Sequence, residues 1–172
     1  MRIGSWGVRL LFVAVTGAAA LGLIVLFGGG DAAASTSCSA QNNQRVEHVR
    51  AGSHCVANAG PGSRATAEDT SNSGAALAVS TTGGNAVAQN NGPYSAALAS
   101  GVHRGNGYSY TAGAHGTSVA QGRNGGTAVA VAGPAGGAFA TTDGVACLGS
   151  MAVAFDSTSG QGCLKWGAVD LR

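Results

Sequence analysis

The chain has 172 residues, thirty of them glycine, with 9% charged and 5% aromatic side chains and a formal net charge of +2. Typical globular domains carry roughly 25% charged residues and about 7% glycine, so a core of large side chains is excluded in favour of one built from small residues and close backbones. Arg45, Arg50, Arg64, Arg104, Arg123 and Lys165 lie apart from one another, which excludes the basic face that nucleic acid or anionic lipid requires.

At the amino terminus, Arg2 and Arg9 precede an apolar run over residues 10–27, and Ala32-Ala33-Ala34 offers a small-residue cleavage site before Ser35. This is the layout of a secretory signal peptide over residues 1–34 and predicts a secreted or cell-envelope protein. The run is long for such a signal and approaches the length that crosses about 30 Å of hydrocarbon. The alternative is an uncleaved anchor, with membrane contact through this segment alone. Cys38 follows Ser35-Thr36-Ser37, without the aliphatic residue of a lipoprotein signal.

Export sets the reading of the four cysteines, Cys38, Cys55, Cys147 and Cys163. In an oxidising compartment an even set predicts disulfides, with three connectivities open. Cys38–Cys55 and Cys147–Cys163 are favoured, because each closes a short loop at one end of a repeat array, where terminal units otherwise fray. No Cys-x-x-Cys pair supports zinc, and no metal or cofactor is expected.

Residues 35–45 are polar and read as a mobile leader; residues 46–50 can begin a strand. From there to residue 139 a large residue recurs at Val46, Val56, Thr66, Leu77, Val87, Leu98, Tyr108, Val119, Val129 and Phe139, at intervals of ten or eleven. From Leu77 on it is usually flanked by small residues, as in Ala76-Leu77-Ala78 and Ala128-Val129-Ala130. A fixed period of this kind signals stacked repeats. Glycine- and asparagine-rich stretches separate the units and suit tight turns. Pro61, Pro93 and Pro134 all follow glycine in that turn phase, where no ladder hydrogen bond is lost. Alternation of period two within each unit predicts ten to twelve short strands rather than helices. After Phe139 the rhythm slips, resuming at Val153 and Leu164. Residues 145–172, with Met151, Phe155, Leu164 and Trp166, read as a carboxy-terminal cap on a solenoid over residues 46–144.

The expected architecture is an all-β, single-stranded β-solenoid of short Ala/Gly-rich coils of period 10–11, stapled by disulfides at both ends. In that geometry alanine faces inward and the large residues form an outward stripe. In an alternative, two units make a coil of 20–21 residues, and the large column packs between two facing sheets. An antiparallel meander is disfavoured by turns too varied for tight hairpins. Two positions beyond the large residue stand Asn58, Glu68, Gln89, Ser100, Gln121 and Thr141, but Val79, Val131 and Phe155 elsewhere; so many polar groups favour a face that is at least partly exposed, with alanine inside.

No catalytic motif is present. His54 beside Cys55 reads as a surface histidine next to a disulfide rather than a nucleophile pair. His103 and His115 lie in turn phases of adjacent units, where weak metal binding is conceivable, and His48 has no evident partner. Adjacent Glu68 and Asp69 read as solvated surface on a turn, and Asp143, Asp156 and Asp170 as isolated carboxylates. Tyr94, Tyr108 and Tyr110, rimmed by Arg104 and Arg123, form a candidate contact patch, against the plainer reading that Tyr108 fills the same column as Leu98.

The export signal, the Ala-x-Ala strands with Gly/Asn turns and the cysteine pairs bracketing the array resemble an uncharacterised family of small secreted actinobacterial proteins known as a domain of unknown function. That resemblance spans roughly residues 38–166 and implies no catalytic residue. The units in residues 74–140 are similar in texture to the head repeats of trimeric autotransporter adhesins, without their stalk or membrane barrel. The function expected is a non-enzymatic structural or surface protein that self-associates as a homo-oligomer or adheres to an envelope partner. A ligand- or ice-binding solenoid is the alternative, and an enzyme the remotest reading.

Overall fold

Side chains alternate across a strand, so an Ala-x-Ala strand carries methyl groups on one face and bulkier groups on the other. In the computed structural model, which describes residues 35–172, two sheets close on each other through those methyl faces. The expected signal peptide or anchor at residues 1–34 lies outside the described residues. The strands are β1 (Thr36–Gln41), β2 (Gln44–Arg50), β3 (Ser53–Ala59), β4 (Arg64–Asp69), β5 (Ala75–Thr81), β6 (Asn85–Asn90), β7 (Ala96–Val102) and β8 (Asn106–Thr111). They continue with β9 (Thr117–Arg123), β10 (Thr127–Ala132), β11 (Gly137–Thr141), β12 (Gly144–Leu148), β13 (Met151–Asp156), β14 (Gln161–Trp166) and β15 (Val169–Leu171).

Successive strands alternate between the sheets through the middle of the chain. The seven-stranded sheet runs β12-β11-β9-β7-β5-β3-β2 and the eight-stranded sheet β1-β4-β6-β8-β10-β13-β14-β15. The central ladders are parallel. Val56, Leu77, Leu98, Val119 and Phe139 stand in register on one sheet, and Thr66, Val87, Tyr108 and Val129 on the other. This corrects the coil length: a period of 10–11 is a half-coil, and one full turn takes 20 or 21 residues and contributes a strand to each sheet. It also separates two features that had been coupled. The sheets face each other as in the longer-coil geometry, yet alanine fills the space between them and the large column points outward.

The interior is therefore made of Ala57, Ala67, Ala78, Ala88, Ala99, Ala120, Ala130, Ala140 and their neighbours, each at most 3% exposed. Sheets that interdigitate large side chains sit about 10 Å apart; here the spacers are methyl groups, and the backbones approach much closer. The cystines at the two ends have the same effect. Cys38 on β1 joins Cys55 on β3 with Cα atoms 5.8 Å apart, and Cys147 on β12 joins Cys163 on β14 at 5.9 Å. Each cross-links one sheet to the other, and the pairing agrees with that expected from the sequence.

The corners stack as regularly as the strands. Gly83 N donates to Pro61 O at 3.0 Å, Arg104 N to Thr82 O at 3.0 Å and Gly125 N to His103 O at 3.1 Å. Thr82, Arg104 and Asn124 all take positive φ there (53°, 63° and 51°), a conformation that asparagine tolerates better than arginine or the β-branched threonine.

A parallel stack leaves a row of unpaired backbone groups at each end, an invitation to aggregation. At both ends the chain reverses, so that antiparallel strands and not the parallel stack form the outer edges. β1 and β2 lie antiparallel to β4 and β3, and β2 carries Arg45, Glu47, His48 and Arg50 at its edge. At the other end β12 reverses onto β11, β13 onto β10, then β14 and the three-residue β15 extend the larger sheet. The polar leader expected over residues 35–45 is thus corrected. Thr36, Cys38 and Ala40 point inward from β1 while Ser37, Ser39 and Gln41 face solvent; polarity there marks an edge strand.

Candidate functional site

Because the core is alanine, bulky apolar side chains collect on the outer faces, and they do so unevenly. On the eight-stranded sheet the outward positions begin polar: Ser37, Ser39 and Gln41 on β1, then Arg64, Thr66 and Glu68 on β4. They end apolar. β8 presents Tyr108 and Tyr110, β10 Val129 and Val131, β13 Met151, Val153 and Phe155. The cross-strand register continues Val131–Val153–Leu164–Leu171 and Met151–Trp166–Val169. Trp166 is 65% exposed, Val169 49% and Leu171 51%. From β8 to β15 this face carries no ionisable group other than its two tyrosine hydroxyls. Lys165 and Asp170, which pair at 3.1 Å, project to the opposite side of their strands.

Of the contact patch expected from the sequence, Tyr108 and Tyr110 lie on this face. Asn91 Nδ2 donates to the Tyr110 hydroxyl at 3.0 Å; burial raises the Tyr110 pKa above its ordinary value, and the Asn91 contact works against that shift. Tyr94 lies in the corner beyond the end of β6, stacked on the His115 ring at 5.7 Å. Arg104 and Arg123 belong to the opposite corner, so the five residues span the width of the sheet instead of forming one cluster. Sequence reasoning missed Val131, Val153, Leu164 and Leu171 as a group. The reversal at β13 brings Val153 beside Val131, and no fixed period encodes a reversal.

The histidines separate too. His103 and His115 sit at opposite corners, divided by the six residues of β8, about 20 Å of strand; they form no common site. His54 projects outward from β3, its Nε2 3.0 Å from Glu47 Oε1. The hydrogen bonds from His54 and Arg45 lower the Glu47 pKa. His48 has partners after all: Nδ1 lies 3.1 Å from Ser37 O, and its ring is grouped with the Cys38 and Cys55 sulfurs.

Asp69, read from the sequence as solvated surface, and Asp156, read as an isolated carboxylate, are both buried. Asp69 ends β4 with its side chain inside the corner, fully enclosed. Its Oδ1 accepts from Ser71 N at 3.1 Å, Ser71 Oγ at 2.6 Å and Asn90 Nδ2 at 2.8 Å, and Oδ2 from His54 N at 3.3 Å. Glu68 faces the other way and accepts from Gln89 at 3.0 Å. Being adjacent on a strand puts the two on opposite faces, so their charges do not meet. Asp156 occupies the equivalent inward strand-end position on β13, 1% exposed. Burial raises its pKa, and donation from the backbone and side chains of Thr158 and Ser159 outweighs this, so the net shift is downward; Arg123 stands 3.8 Å away. Such groups hold corners in shape. They act as acceptors satisfied by the chain itself, unlike an acid/base pair open to a substrate.

No curated protein and no solved structure shows a significant match to the chain. A family model does match, over residues 4–166, which covers the whole solenoid and both disulfides. The chain belongs to the family of unknown function DUF6764.

Proposed function

We propose that the protein is a secreted or envelope-associated, non-enzymatic surface module that self-associates through the apolar half of its eight-stranded sheet. One observation supports this reading. The interior is alanine, while Tyr108, Val129, Val131, Val153, Phe155 and Leu164 lie on the outside of one sheet. Folding uses small residues, and the large ones stand on the outer face. Contiguous apolar patches beyond a few hundred Å² on a soluble protein mark interaction sites, and a two-fold axis, the commonest oligomer symmetry, sets the same face of two copies against each other. The partner proposed is therefore a second copy of the same face.

The test uses residues 35–172 with both disulfides formed, in sedimentation velocity and circular dichroism. The unsubstituted chain should sediment as an oligomer. Val131→Asp should shift it to monomer with its strand signal intact, since Val131 faces out. Leu98→Asp, on the other sheet, should leave both assembly and strand signal unchanged. A monomeric unsubstituted chain at high concentration, or equal loss of assembly in the two variants, would refute the proposed face.

A further inference from the structure

The amino-terminal end of the solenoid holds a cluster that the carboxy-terminal end lacks. In the antiparallel pairing of β2 with β3, His48 stands directly opposite Cys55. Directly opposed residues share a face of the sheet, so His48 is turned to the same side as the inward-pointing Cys55. Cys38 reaches that point from β1 across the interior. As a result the two sulfurs and one imidazole nitrogen lie within 4.8 Å of one another. Two further atoms complete the neighbourhood. Thr36 Oγ1, two residues before Cys38, and Ser53 Oγ, two residues before Cys55, are buried without a hydrogen-bond partner, and the two residues are 4% and 0% exposed. Orphaned buried hydroxyls are uncommon; of the three among the described residues, on Thr36, Ser53 and Ser80, the first two flank one cystine on its own face. Among the described residues, Cys147 and Cys163 belong to no such group.

We infer that reduction of the Cys38–Cys55 disulfide converts this end of the fold into a Cys2His site for zinc. A dithiol donor supplies two electrons and two protons, becoming a disulfide itself, and leaves Cys38 and Cys55 as thiols. Zinc then displaces both thiol protons to solvent, so the bound ion and two thiolates sum to zero charge inside the alanine core. Tetrahedral zinc with Zn–S near 2.3 Å and Zn–N near 2.0–2.1 Å sets its donor atoms roughly 3.3–3.8 Å apart. The observed span of up to 4.8 Å is close to that, and rotation of the two released cysteine side chains closes the difference. The exposed His48 ring gives the ion its route in. Three protein ligands leave one position for water, and Thr36 and Ser53 carry unpartnered hydroxyls on the same face. The disulfide staples the end under oxidising conditions and the metal does so under reducing ones.

The test reads each cysteine separately on the full chain in detergent. The protein is reduced with a phosphine, incubated with or without zinc, pulsed with an alkylating reagent and mapped by mass spectrometry. Zinc should slow alkylation of Cys38 and Cys55 by at least about tenfold while leaving Cys147 and Cys163 unchanged, and His48→Ala should abolish that protection, a lost direct ligand costing no less than the 10–100-fold of an outer-shell contact. Cobalt in place of zinc should give thiolate-to-metal charge transfer and the absorption of a tetrahedral ion. No protection, equal protection at all four cysteines, or protection that survives His48→Ala overturns the inference. Loss of the strand signal on reduction that zinc does not restore also overturns it.

Discussion

Gly107 tests the account of the core most directly. It pairs with Ala86 on one side and Ala128 on the other, so by sequence it occupies an alanine column, and Gly107→Ala looks harmless. Removing the glycine's extra unfolded-state freedom would by itself stabilise the chain by about 0.4–1 kcal/mol. The coil made by β7 and β8 does not have room. A Cβ at Gly107 would meet Ser100 O at 2.2 Å, Ser100 C at 2.8 Å and Ser100 N at 2.9 Å, all backbone of the facing strand. Restoring van der Waals contact needs β7 and β8 to separate by roughly 1 Å. Neither can move alone, since each is held in a ladder on both sides. Overpacking of this kind costs about 1–3 kcal/mol, which outweighs the entropic gain and leaves a net loss near 1–2 kcal/mol. At about 2–4 °C per kcal/mol for a chain of this size, the melting temperature should fall by roughly 2–8 °C. Differential scanning calorimetry on oxidised protein measures it. The reverse substitution elsewhere should be mild: Leu98→Ala, which would cost about 2–5 kcal/mol in a conventional core, should cost less than about 1 kcal/mol here. A Gly107→Ala protein as stable as its parent, or a Leu98→Ala protein that loses more, would refute the alanine-spaced interior.

Asp156 should shape the acid limb of stability. Its folded pKa is depressed, so its contribution is present above the unfolded value of about 3.9 and disappears as pH falls through the lower folded value. Melting temperature between about pH 2 and 6 should drop less steeply for Asp156→Asn than for the parent, and at neutral pH the variant should be weaker by about 1.5–3 kcal/mol. The disulfides close loops of similar length, with sequence separations of 17 and 16. Replacing either pair by alanine should therefore cost about 3 kcal/mol by chain entropy, read as a matched shift of the guanidinium midpoint; a difference beyond about 2 kcal/mol would mean that packing at one end, and not loop closure, dominates.

The repeat, the strand content and the disulfide pairing were legible in the sequence because each depends on local order. Alternation of Ala with larger residues dictates a strand with one small face, glycine, asparagine and proline at one phase dictate turns, and closely spaced cysteines at the array ends can meet only each other. Counting residues could not decide whether a unit of ten closes on itself or forms half of a coil, because both give the same period. Tertiary packing decides it: a ten-residue loop encloses too little volume for even two rows of methyl groups, whereas two facing strands hold them at the spacing the backbones need. The sites were less legible still. Glu68 and Asp69 look alike as neighbours in the chain, yet strand alternation sends one to solvent and the other to a buried corner. His48 meets Cys38 and Cys55, and Val153 meets Val131, only where the chain reverses at the ends of the stack. Those contacts are set by antiparallel register between distant segments, and a period read along the chain carries no information about them.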